Sequence, residues 1–215
     1  MKKLIILIVC FTLLCGCTKI NNDNINDIIN SVVSSDNDRA NQYRNGYKFY
    51  LPNNLSTIKI DDKNNVFKEN DIKYYMFVDI VSYYHKVENK YQVNEKAYYS
   101  SLINYNNNKS GYVEVNVKND KYLIEIMYNY AKIEVIVNSN DIASAITNSL
   151  IILTSVNYND DIIDNLLEED VLNYSEETFN IFETNSNDSN FLKVVEEYDN
   201  YNEDKVPDYD LIKEN

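Results

Sequence analysis

Residues 112–137 read YVEVNVKNDKYLIEIMYNYAKIEVIV, and their side chains repeat with a period of two. Val113, Val115 and Val117 alternate with Glu114, Asn116 and Lys118, the pattern of a strand with one apolar and one polar face. Asn119 and Asp120 follow, a pair that tolerates the left-handed backbone of a two-residue hairpin turn. Residues 122–130 return, and after a second turn within 129–132 the chain goes out again through Ile133, Val135 and Val137. Consecutive strands joined by tight turns predict an antiparallel meander.

Upstream, residues 74–84 are YYMFVDIVSYY, apolar on both faces and rich in strand-forming side chains, which predicts a central strand. Earlier still, Tyr47, Phe49 and Leu51 alternate with Lys48 and Tyr50 ahead of Pro52 and Asn53, and residues 55–60 offer another short strand. Residues 94–104 fit a helix or a strand. From Ser139 or Asn140 the period changes: Ile142, Ile146, Leu150 and Leu153 share one helical face, with Asp141 at the end where the helix dipole favours an acid. A second helix is expected over 161–172, striped by Ile162, Ile163, Leu166, Leu167 and Val171, and a third over 189–198. Strands first and helices later predict the α+β class, an antiparallel sheet of about five or six strands packed with C-terminal helices.

Around this body lie three polar or apolar segments of other character. Residues 17–45 are rich in Asn, Asp and Ser and read as a tether, although Ile25, Ile28, Ile29, Val32 and Val33 fall at helical spacing within it. The folded domain is expected over 46–198, followed by an acidic disordered tail over 199–215. Residues 1–16 form a leader, in which Lys2 and Lys3 precede an apolar run from 4 to 14 broken only by Thr12. That run falls short of the roughly 20 residues needed to span a bilayer.

Leu14, Cys15, Gly16 and Cys17 close the leader, and the run with this ending resembles the lipobox of bacterial lipoproteins. The resemblance covers the leader alone. It implies that Leu14, Cys15 and Gly16 are read by a dedicated signal peptidase and that the Cys17 thiol carries a diacylglyceryl group. Cys17 would then begin the mature chain and anchor it on the extracytoplasmic face of the cell membrane. At about 0.8 kcal/mol per buried CH₂, two acyl chains suffice for stable attachment. The globular part, opening with GYKFYLPNNL at residues 46–55, resembles loosely the PsbP/Mog1-like domains of other lipoproteins, which implies a fold and no functional residue.

Composition excludes some partners. The chain carries 34 acidic and 20 basic residues, a net charge of −14; without residues 1–16 it has 18 basic and 34 acidic residues, a net charge of −16. Phosphate backbones and anionic headgroups would be repelled, so no nucleic-acid partner is expected. The three cysteines all lie at or before residue 17, so the body holds no disulfide and depends on its core. Twenty tyrosines accompany abundant Asn, Ile and Lys, a bias that AT-rich codons produce without any functional demand.

Ser56 and Lys59 fit the SxxK spacing of penicillin-binding proteins, but Ser35, Asp36 and Asn37 stand upstream rather than downstream and no KTG follows. His85 is the only histidine, which rules out a zinc site with two imidazoles. The oxygens of Asp61, Asp62, Asn64 and Asn65 lack the spacing and central glycine of an EF-hand. No metal, cofactor or catalytic residue is therefore expected. Asp79 interrupts the apolar 74–84 run, either as a binding-site acid or as a residue turned to water. Paired tyrosines put one ring on each face of an extended chain, so Tyr75 and Tyr83, with Asp79, are the expected binding surface.

The expected function is a non-enzymatic, membrane-anchored binding or interaction module. Its membrane contact runs through the lipid on Cys17, and its partner is a protein or a cell-wall component. A solute-capturing lipoprotein working with a transporter is an alternative, and a carboxylate-dependent hydrolase a second; the hydrolase requires two acids converging in a pocket.

Overall fold

The computed structural model describes residues 22–35, 37–60, 64–88, 90–104 and 109–168. The order along the chain is α1 (Asn22–Val33), β1 (Gln42–Arg44), β2 (Tyr47–Phe49), β3 (Ser56–Ile60), β4 (Asn64–Glu69), β5 (Ile72–Val78) and α2 (Ile80–Tyr84). It continues with β6 (Tyr99–Asn104), β7 (Ser110–Lys118), β8 (Lys121–Tyr128), β9 (Ala131–Val137), α3 (Ile142–Thr154), β10 (Asn157–Tyr158) and α4 (Asp160–Glu168).

The meander forms as its turn residues demand. Asn119 and Asp120 adopt φ of 49° and 61°, and Asn129 and Tyr130 adopt 50° and 61°, so both connections are left-handed two-residue turns that match the strand twist. Among the described residues, β7, β8 and β9 join four others in a seven-stranded antiparallel sheet of order β3-β4-β5-β9-β8-β7-β6. A second sheet, β1-β2-β10, lies beside it. The class is α+β, with more strands than the periodicity alone suggested.

Register sorts the side chains into rows. Tyr74, Val135, Ile124, Val115 and Tyr99 lie opposite one another across β5, β9, β8, β7 and β6, and all five are buried. This face packs against α3, whose Ile142, Ile146, Leu150 and Leu153 are all in the core as the helical period requires. The helix starts at Ile142, behind a 3₁₀ turn at Ser139–Asp141, and Asp141 makes no side-chain cap bond.

Several expectations are corrected. Helix α1 is part of the body: Ile25, Ile29 and Val33, four residues apart, are buried in the main core, and the helix packs on α3. The Tyr99 hydroxyl donates to Asn26 Oδ1 at 2.6 Å, fastening α1 to β6. With β1 also paired to β2, α1 and β1 belong to the folded body rather than to a tether. The strand expected over 74–84 ends at Val78, because Asp79 caps a short helix instead of continuing the ladder. His85 is therefore at a helix C-terminus rather than a strand end. Residues 99–104 are a strand, and α4 begins at Asp160. The leader, the expected 189–198 helix and the 199–215 tail lie outside the described residues.

Candidate functional site: a tyrosine-lined groove

Four segments meet at one end of the large sheet: the C-terminal end of α2, the start of β7, the β8–β9 turn and β10. Between them is an open groove of about 740 Å³, lined by Tyr83, Lys86, Glu88, Lys109, Ser110, Asn129, Tyr130 and Tyr158 among others. Its size lies in the range of small-molecule sites.

The local sequence explains how each side is placed. Asp79 Oδ1 accepts the Ser82 amide at 2.8 Å, capping α2, and the Asp79 amide donates to the Tyr130 carbonyl at 2.9 Å. At its other end α2 closes with Val87 N–H to Ser82 O at 3.0 Å and Lys86 N–H to Tyr83 O at 3.2 Å, the paired bonds of a Schellman motif. That motif needs a left-handed residue, usually glycine; here it is Lys86 at φ 54°. Across the groove, the Asn129 amide donates to Ser110 O at 3.1 Å and the Tyr158 hydroxyl to Asn129 O at 2.8 Å, locking the β8–β9 turn to its neighbours.

Tyr83 is the hub of the rings. Tyr158 stacks on one face at 3.8 Å and 14°, and the Lys86 ammonium stands 3.6 Å over the ring centre on the other. Tyr130 meets it edge to face at 5.8 Å and 82°. With both faces of Tyr83 covered, half-buried Tyr130 is the ring left to meet a ligand. Burial pushes the Tyr83 hydroxyl up to about 12, reinforced by its 2.9 Å hydrogen bond to Asp160. Tyr130 is raised by burial and then by the charges of Asp79 and Glu88, and Tyr158 well above its ordinary value by burial and then by Asp79. All three hydroxyls are thus protonated donors at neutral pH.

Six non-glycine residues among those described adopt left-handed backbone: Asn70, Lys86, Asn119, Asp120, Asn129 and Tyr130. Asn and Asp tolerate that conformation, whereas other side chains meet a steric cost of roughly 1–2 kcal/mol. The two exceptions, Lys86 and Tyr130, both line the groove.

Of the expected binding surface, Tyr83 is in the groove. Asp79 lies behind it, buried at 1% exposure, so it is neither turned to water nor a direct ligand contact. The structure does not bring Tyr75 to them: it lies on the sheet's outer face, in register with Glu134. The one-ring-per-face expectation fails at 83 and 84 because those residues are helical. Lys86, Lys109, Tyr130 and Tyr158 were not legible as a site. Only Tyr130 carried a hint, a bulky residue in a tight turn.

A second polar cluster occupies the outer face. Glu114, Glu125 and Glu134 lie directly opposite one another across β7, β8 and β9. Tyr91, stacked on Tyr112 at 3.8 Å, donates to Glu114; Tyr112 donates to Glu125; Asn94 and Asn116 also donate to Glu114. Lys132 Nζ pairs with Glu134 at 3.2 Å, both side chains being at most 2% exposed. Asn64 and Asn65, whose oxygens lack EF-hand spacing, are buried strand residues, and Asn65 bridges Arg44 and Tyr47. Among the described residues no group of three or more His, Cys, Asp or Glu is arranged to hold a metal ion.

Comparison of the chain with known protein families, curated sequences and solved structures finds no match. Among the described residues no helix is long and apolar enough to cross a membrane. Leu14, Cys15, Gly16 and Cys17 lie outside those residues.

Proposed function

We propose that this chain is a lipid-anchored extracytoplasmic binding protein without catalytic activity, held to the cell membrane through Cys17 and offering the tyrosine-lined groove to a ligand. The observation that carries the groove is its two strained residues. Lys86 and Tyr130 hold a backbone conformation that glycine would adopt at less cost, and both contribute side chains to the same cleft. Backbone strain retained at a cleft points to function rather than to packing. The anchor rests on the leader and on the Leu14, Cys15, Gly16 and Cys17 ending.

A solute-capturing lipoprotein serving a transporter is a second reading, favoured by a groove of about 740 Å³, enough for a small solute. The hydrolase reading would draw on Glu114, Glu125 and Glu134. It is weakened by the oxygens of Glu114 and Glu125 already accepting bonds from Tyr91, Asn94, Asn116 and Tyr112.

Two measurements test the proposal. Cells fed a clickable fatty acid should label the wild-type protein and leave Cys17→Ser unlabelled and unprocessed; equal labelling of the two would refute the anchor. On intact cells, a photo-crosslinking residue at position 109 should form adducts that the same residue at position 75 does not. Equal adducts from both would remove the groove from consideration.

A further inference from the structure

We propose that the groove takes an acidic sugar, a pyranose ring bearing a carboxylate, with Lys86 and Lys109 receiving the charge and Tyr130 receiving the ring. This rests on the groove being the ligand site. The charge balance of the chain is the starting point: acidic residues outnumber basic ones by 34 to 20, yet two lysines line one cleft. Among the described residues neither Lys86 nor Lys109 is paired with a carboxylate, as Lys68 is with Asp71 and Lys132 with Glu134. In a protein so rich in acids, two lysines without an acid partner at one cleft are positioned for an anion from outside.

The rest of the lining distinguishes a sugar acid from a simple anion. Glu88 is exposed in the same groove and would repel a bare anion, but its oxygens accept hydrogen bonds from hydroxyl groups, which a sugar supplies. Ser110 and Asn157, both exposed, add donors and acceptors for further hydroxyls. The remaining face of Tyr130 suits the apolar C–H face of a pyranose. A cationic ligand is disfavoured because the Lys86 ammonium already occupies the face of Tyr83, 3.6 Å from its centre. The left-handed backbone at Lys86 serves this arrangement by turning the chain at the end of α2, where the side chain lies over Tyr83.

Titration of the detergent-solubilised full chain with glucuronic acid, glucose and glucosamine, followed by calorimetry, tests the preference. Glucuronate should bind roughly tenfold more tightly than glucose, the increment of one charge-assisted contact, and should weaken as salt is raised. The double variant Lys86→Met, Lys109→Met should lose that advantage and bind the two sugars alike. Equal binding of glucose and glucuronate by the wild type, tighter binding of glucosamine, an unchanged double variant, or no binding by any of the three overturns the proposal. Tyr130→Ala separates this failure from that of the groove itself. If a neutral or cationic sugar binds and Tyr130→Ala abolishes it, the groove stands and the acid preference falls; if Tyr130→Ala leaves binding intact, both fall.

Discussion

At the scale of single residues, the backbone angle of Lys86 links local structure to function. Position 86 follows the last helical turn of α2, where a left-handed residue lets two amides satisfy the carbonyls of Ser82 and Tyr83. Glycine would meet that demand without a Cβ penalty, so Lys86→Gly should raise stability by about 1 kcal/mol, offset in part by the lost contact with Tyr83. The same change should weaken ligand binding through the lost ammonium. Thermal melts and calorimetry on one preparation check both; a variant that melts about 3 °C lower or more, roughly 1 kcal/mol less stable, would show that Lys86 is held for packing. Sequence reading could not find this residue, because a lysine two positions beyond a tyrosine pair reads as surface charge until the helix end is known.

At the scale of elements, α1 and α2 show opposite limits of pattern reading. The Ile25, Ile29 and Val33 spacing was visible in residues 17–45, but the surrounding Asn and Asp made the segment look like a tether. What decides is the partner: α3 and the sheet leave an apolar seam that α1 covers. Ile29→Asp, placing a charge at a site 6% exposed, should cost about 4 kcal/mol in urea denaturation of the full chain. A loss below about 1 kcal/mol would make α1 an accessory rather than part of the core. Helix α2 fails in the other direction. Residues 74–84 have strand composition throughout, yet Asp79 bonds the Ser82 amide and the chain turns helical, because a buried carboxylate next to its own backbone finds a cap more readily than a ladder partner.

At the scale of the whole molecule, burial of tyrosines sets an alkaline limit. Unfolded, Tyr74 ionises near 10.0; folded, burial holds it up to about 12, with the Asn148 hydrogen bond opposing and Glu69 adding to the rise. Between those values the unfolded chain releases a proton that the folded protein keeps. Stability is therefore full below pH 10 and declines as pH rises toward 12, by about 1.4 kcal/mol per unit for this residue. Tyr112 and Tyr158, raised well above the ordinary value by burial, act in the same direction. Urea midpoints measured from pH 8 to pH 11 should be level at first and then fall; a midpoint independent of pH over this range would contradict the burial of these rings.

The α+β class, the β7–β8–β9 meander with its Asn119 turn and the face of α3 that enters the core were all legible along the chain. Each of these depends on side-chain period or on a turn residue within a few positions, information that is local. The groove exists only once the chain has folded. Its tyrosines and lysines come from positions 83, 86, 109, 130 and 158, brought together because the sheet places the C-terminal end of α2, the start of β7 and the β8–β9 turn at one end and β10 beside them. No period or spacing in the chain encodes that meeting; it follows from strand order, which is set by long-range pairing.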